Sequence, residues 1–168
     1  MRSLLLTFIL VFAANINAQE KCVTKLDEKS GNPMLIGLID REAFADTNYA
    51  WWYDSEYKNY DVDSISLKKI KDRLKDYNIT IVMGTWCSDS RREVPRFFKI
   101  LDYLKFPEEK VKMIAVDRNK KALDSEIEKL NIELVPDFIF YKDSTEAGRI
   151  VESPKKSLEK DLDEIVVK

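Results

Sequence analysis

The chain has 168 residues, 30 of them acidic and 28 basic, with two cysteines and no histidine. The near balance of charge leaves no basic surplus for nucleic acid. The missing histidine removes His-based triads and zinc sites, and two cysteines make neither a four-cysteine metal centre nor a disulfide framework. With no glycine-rich phosphate loop either, no metal or cofactor is expected.

Arg2 precedes an apolar run from Leu4 to Ala14 that only Thr7 interrupts, and Ile16-Asn17-Ala18 leads into polar Gln19-Glu20. This reads as a secretory signal peptide over residues 1–18, because the run is too short to span a bilayer. An uncleaved anchor is the alternative. A lipoprotein reading at Cys22 is weaker, since Glu20-Lys21 is not the small, apolar setting it needs. Cleavage after Ala18 leaves 150 of the 168 residues, enough for one domain with a sizeable core. No later segment reads as a membrane span. The expected product is periplasmic or secreted, and not an integral membrane protein after cleavage.

Residues 19–63 read as an N-terminal extension packing on the core. Gly31-Asn32-Pro33 marks a turn, Leu35 to Ile39 a short strand, and Arg41 to Ala45 one or two helical turns. Tyr49, Trp51, Trp52, Tyr53, Tyr57 and Tyr60 follow at a spacing that fits neither the helical nor the strand period well. They serve either to cover the core or to bind a peptide or glycan.

From Ser64 to the end at Lys168 the signals sharpen. Asp63 or Ser64 caps a helix with Leu67, Ile70, Leu74 and Tyr77 on one stripe. Ile79 to Met83 is a strand buried on both faces. Asn78-Ile79-Thr80 matches a glycosylation sequon, but it leads into that strand and is discounted. Val94, Phe97, Phe98, Leu101 and Leu104 recur at helical spacing, so a helix begins at or just before Ser90. Val111 to Val116 is a second strand. Leu123, Ile127 and Leu130 form a helical stripe, and Phe138 to Tyr141 pairs with Arg149 to Val151 as a hairpin. A last helix carries Leu158, Leu162, Ile165 and Val166. The order predicts parallel β-α-β units closed by a hairpin.

Between the first strand and its helix lies Gly84-Thr85-Trp86-Cys87-Ser88-Asp89-Ser90. A cysteine at a helix N-terminus faces unpaired N–H groups and the positive end of the dipole, which favour the thiolate that attacks disulfides. Arg91 and Arg92 add positive potential, Asp89 opposes it, and Trp86 gives the thiol an apolar shoulder. An inert structural thiol is the alternative.

Trp86-Cys87-x-x-Ser90 after a buried strand, Pro95 in the following helix, and Val135-Pro136 before Phe138-Ile139-Phe140-Tyr141 together resemble the thioredoxin-like family, in its exported, monothiol C-x-x-S form. The resemblance spans Ser64 to Lys168. It implies an α/β, three-layer fold with a central mixed sheet flanked by helices. It also implies Cys87 as nucleophile, Ser90 as hydrogen-bond donor to its thiolate, and a cis bond before Pro136. Trp86, Val135 and Pro136 would dock substrate, in the way a neighbouring strand pairs. The sequence departs from the family at Ser90, where the pair's second cysteine stands, at Asp89, often proline, and at Ile81, where many relatives bury an acid. A lone thiol forms a mixed disulfide but cannot release it through a neighbour. Release then needs the substrate's own second thiol, a small thiol, or Cys22, which is either a resolving partner or a free thiol on a mobile terminus. The implied function is thiol–disulfide exchange on cysteine-containing or disulfide-bonded extracytoplasmic proteins. A non-enzymatic peptide-binding module on the same fold is the rival.

Overall fold

The computed structural model describes residues 21–167, so the apolar segment read as a secretion signal lies outside the described residues. Six strands form one mixed sheet: β1 (Cys22–Leu26), β2 (Pro33–Ile39), β3 (Tyr77–Met83), β4 (Val111–Ala115), β5 (Asp137–Lys142) and β6 (Thr145–Val151). Their spatial order is β1-β2-β4-β3-β5-β6. The helices are α1 (Thr47–Asn59), α2 (Ser64–Leu67), α3 (Lys71–Leu74), α4 (Ser88–Leu104) and α5 (Leu158–Val166).

The apolar run of β3 is continuous because both of its faces are covered. Ile79, Ile81 and Met83 join the main core with Phe97, Phe138, Phe140 and the helices, while Val82 joins a smaller cluster on the other face with Ile114, Val116, Ile127 and Val135. Three layers result: helices, sheet, and the segment after β4 with its 3₁₀ turn Ser125–Leu130. This is a mixed α/β arrangement with a central sheet covered on both faces.

The predicted parallel unit is present as β3-α4-β4, with Ile79 beside Val111 and Met83 beside Ala115. β5, by contrast, runs antiparallel to β3, and its first residue Asp137 lies opposite Val82. The connection from β4 stays at one end of the sheet and never crosses back, so β5 starts where β3 ends. That topology brings Val135-Pro136 to the cysteine loop.

Three further expectations are corrected. The stripe from Leu67 to Tyr77 is not one helix: α2 and α3 are single turns, and Tyr77 opens β3. Leu67, Ile70 and Leu74, three and then four residues apart, all reach the core regardless, because such steps bring side chains to one side of consecutive single turns as well as of an α-helix. The stripe at Leu123, Ile127 and Leu130 is only a 3₁₀ turn, capped by Asp124 on Glu126 N and closed by left-handed Asn131, with Leu123 outside it. Finally, the aromatic cluster is helical. Tyr49, Trp52, Tyr53, Tyr57 and Tyr60 fall at i, i+3, i+4, i+8 and i+11 along α1 and its C-cap. Only Trp51, 66% exposed, breaks the pattern. Tyr53 stacks on Phe44 at 4.7 Å and packs at 6.5 Å from Phe98 of α4.

β1 carries no strong alternation and was not expected. It pairs with β2 from Cys22 opposite Gly37 to Leu26 opposite Pro33, and β2 in turn pairs with β4. The N-terminal residues therefore extend the sheet itself.

Candidate active site

Cys87 is the N-cap of the 17-residue α4, in extended conformation at the end of β3. Its N–H donates to Gly84 O at 2.9 Å, and its own carbonyl accepts from Arg91 N at 3.0 Å. The half-buried thiol donates to Val135 O at 3.2 Å. The Val135–Pro136 bond is cis.

The segment carrying that carbonyl is held on several sides. Pro136 O accepts from Glu152 N at 2.7 Å. Asp137 Oδ2 accepts from Arg149 Nη1 at 2.8 Å, and the same nitrogen donates to Leu130 O at 3.2 Å. Asp137 is 2% exposed and its Oδ1 has no partner among the described residues. Burial pushes its carboxyl up to about 6, although Arg149 pulls the other way.

Ser90 is fully buried, and its hydroxyl accepts from Gly84 N at 3.2 Å, bracing the loop that carries the cysteine. Trp86 lies across Gly84, where a Cβ would come within 2.6 Å of the indole, so the position needs a glycine. The Trp86 Nε1–H donates to Val116 O at 2.8 Å. Asp89 and Glu93 are both paired with Arg92, at 2.8 and 2.6 Å, and Arg92 also reaches Ser153 Oγ at 2.9 Å. Arg91 donates to Thr85 O at 2.6 Å, and Thr85 Oγ1 accepts from Leu35 N of β2 at 3.1 Å. The acidic residues of the first turns are thus neutralised by Arg92, while Arg91 is tied to a carbonyl.

The structure brings Trp86, Cys87, Ser90, Val135 and Pro136 together, but Ser90 makes no hydrogen bond to the Cys87 sulfur, because its hydroxyl faces the Gly84 N–H. It does not bring Cys22 to them. Cys22 sits in β1 rather than on a mobile terminus, and it packs on the main core, whereas Cys87 packs on the cluster of the opposite face. Both thiols are free, and burial raises the Cys22 thiol above its ordinary range. Ile81, beneath the loop, is wholly buried.

Asp27, Thr85, Arg118, Asp137 and Arg149 were not singled out by sequence. Only Asp137 left a trace there, as an acid opening an apolar strand directly after proline. Among the described residues there is no cluster that could hold a metal, and no helix is long and apolar enough to cross a membrane.

No family model and no curated protein matches the chain. Among solved structures it is similar to an HIV epitope scaffold at 14% identity, covering 70% of this chain and 79% of that one, with a TM-score of 0.47. A protein of unknown function from Pseudomonas aeruginosa aligns at 15% identity over 70% of this chain and 79% of its own, with a TM-score of 0.43. Thioredoxin O2 from Arabidopsis thaliana, in its oxidized state, aligns at 24% identity over 52% of this chain and 71% of its own, with a TM-score of 0.34.

Proposed function

We propose that this chain is an exported thiol–disulfide exchange protein that acts through the single cysteine Cys87 on cysteine-containing or disulfide-bonded extracytoplasmic proteins. The observation that carries the reading is the position of Cys87: the N-cap residue of α4, with a half-buried thiol that donates to the carbonyl of Val135 at 3.2 Å. In this reading the Val135 backbone beside the cis proline would pair with an incoming peptide. Export rests on the pattern of residues 1–18.

In the exchange, the Cys87 thiolate attacks one sulfur of a substrate disulfide. A Cys87–substrate S–S bond forms, the old S–S bond breaks, and the second sulfur leaves as a thiolate that takes a proton from solvent. The mixed disulfide is released by the substrate's freed thiol or by a small thiol, because Ser90 cannot attack it. The test is capture: a disulfide-bonded protein incubated with the reduced chain forms a mixed disulfide that reductant removes and that Cys87→Ser abolishes. No adduct, with the substrate disulfide intact, overturns the reading.

A further inference from the structure

Arg149 lies in β6 opposite Ile139 of β5, with its side chain mostly buried. Two of its nitrogens, Nε and Nη2, donate to the two oxygens of Glu146 at 2.7 Å each. The third, Nη1, divides its two protons between Asp137 Oδ2 at 2.8 Å and Leu130 O at 3.2 Å. Leu130 ends the 3₁₀ turn after β4, and Asp137 opens β5. One nitrogen therefore fastens both ends of the segment 130–137, which carries the cis bond. Between those ends little else directs the chain. Asn131 is left-handed, and among the described residues 132–135 make no backbone–backbone hydrogen bond. Val135 O accepts from the Cys87 thiol, and Pro136 O accepts from Glu152 N just past β6. Leu130, Ile132 and Val135 rest on the apolar cluster, but burial is not directional and does not aim a carbonyl.

We propose that Arg149 is a positioning residue of the exchange site: by clasping Leu130 and Asp137 it holds the Val135–Pro136 segment in the pose that receives a substrate peptide. The inference rests on the exchange reading of Cys87. A guanidinium suits the role because its donors point in fixed directions within one plane. With one edge held by both oxygens of Glu146, Nη1 is not free to turn away from the segment. Lysine keeps the charge but loses the plane. The clasp belongs to Arg149 and not to another cation: Arg118 lies over the Trp86 ring and pairs with Asp27 at 2.6 Å, and Arg92 pairs with Asp89 and Glu93. Two reactions of Cys87 then differ in what they need. Attack on a small reagent needs the thiol alone, whereas capture of a peptide disulfide needs the peptide laid along Val135 so that its sulfur meets Cys87. Losing the clasp impairs the second and spares the first.

The experiment compares two rates at Cys87, with Cys22→Ser as the common background: capture of a short disulfide-bonded peptide as a mixed disulfide, and alkylation by iodoacetamide. Removing Arg149 alone would leave the Asp137 carboxyl buried without a partner. Arg149→Met and Arg149→Lys are therefore each placed on Asp137→Asn and compared with Asp137→Asn by itself. Arg149→Met should slow capture by about ten- to a hundredfold, the cost of misplacing a bound reactant, and leave alkylation within about twofold. Arg149→Lys should slow capture by about two- to fivefold. In Arg149→Met, amide hydrogen exchange should speed up at residues 131–135 and stay slow in β3 and α4, which separates a loosened segment from a general loss of stability. Capture and alkylation that fall together, or capture unchanged in both variants, overturns the inference and leaves the exchange reading intact. If Arg149→Met does not fold, full-rate capture by Arg149→Lys overturns it. A chain with Arg149 and Asp137 in place that is alkylated but captures no peptide disulfide overturns the exchange reading, and the inference with it.

Discussion

Asp137 opens β5 directly after the cis proline and buries a carboxyl there, and its removal gives a signed, quantitative test. The carboxyl lies opposite Val82 at the start of β5, bonded through Oδ2 to Arg149 while Oδ1 is buried without a partner among the described residues. Burial raises it from an ordinary 3.8 to about 6. An acid raised on folding binds its proton more tightly in the native state, so its contribution to stability is fully present below about pH 4 and is lost as pH rises through about 6. A rise of roughly two pH units at ~1.4 kcal/mol each makes that loss about 3 kcal/mol. Asp137→Asn keeps an acceptor for Arg149 and cannot ionise, and Glu146 still pairs with Arg149 at 2.7 Å. Urea unfolding of both proteins at intervals from pH 4 to pH 8 is the assay. The native chain should match the Asn variant near pH 4 and fall behind it by about 3 kcal/mol at pH 8. Acids held low in the fold, such as Asp27 and Asp63, destabilise both proteins on acidification and cancel in the difference. A difference that stays flat across this range refutes the reasoning, and one of opposite sign means that Arg149 outweighs burial.

Ser90→Cys should supply the missing second thiol, since positions 87 and 90 are i and i+3 at a helix start with Cβ atoms about 5–6 Å apart. It should form the internal disulfide and raise turnover in a protein-disulfide reduction assay, while leaving Gly84 N without its acceptor at a cost of about 1–3 kcal/mol. If the disulfide forms and no reductase activity appears, the exchange reading fails. Gly84→Ala should displace the Trp86 indole, because its Cβ would lie within 2.6 Å of that ring. Unchanged tryptophan fluorescence together with an unchanged exchange rate would count against the packing described. Phe97→Ala should cost about 3–5 kcal/mol in chemical unfolding, as its fully buried ring lies 4.6 Å from Phe138 and 6.0 Å from Phe140.

Local chemistry was enough to read the strand and helix on either side of the cysteine loop. Ile79 to Met83 announces a buried strand because a nearly continuous apolar run needs cover on both faces. The stripe from Val94 to Leu104 announces a helix because its period matches one buried side. Those two readings alone put Cys87 at a helix N-terminus. Where the pattern was short, the period did not discriminate. The steps of three and four residues from Leu67 through Ile70 to Leu74 suit single turns and an α-helix alike, and Trp51 masked the helical spacing of its neighbours.

What only the tertiary structure decided is how distant residues meet around the site. The direction of β5 depends on where the chain re-enters the sheet, and that direction puts Val135 O against the Cys87 sulfur. Edge strand β1 forms because β2 offers it a ladder, and a sequence with no alternation of its own carries no sign of that. The pairing of Asp27 with Arg118 spans 91 positions. Charged residues look alike along a sequence that is 35% charged, and only the closed sheet chooses their partners. Ser90 shows the same limit at short range: its residue type suggests a bond to the neighbouring thiol, but the turn of the loop aims its hydroxyl at Gly84 N instead. Periodicity records burial, which is a property of each segment. Pairing between segments depends on distances that exist only after the chain has closed on itself.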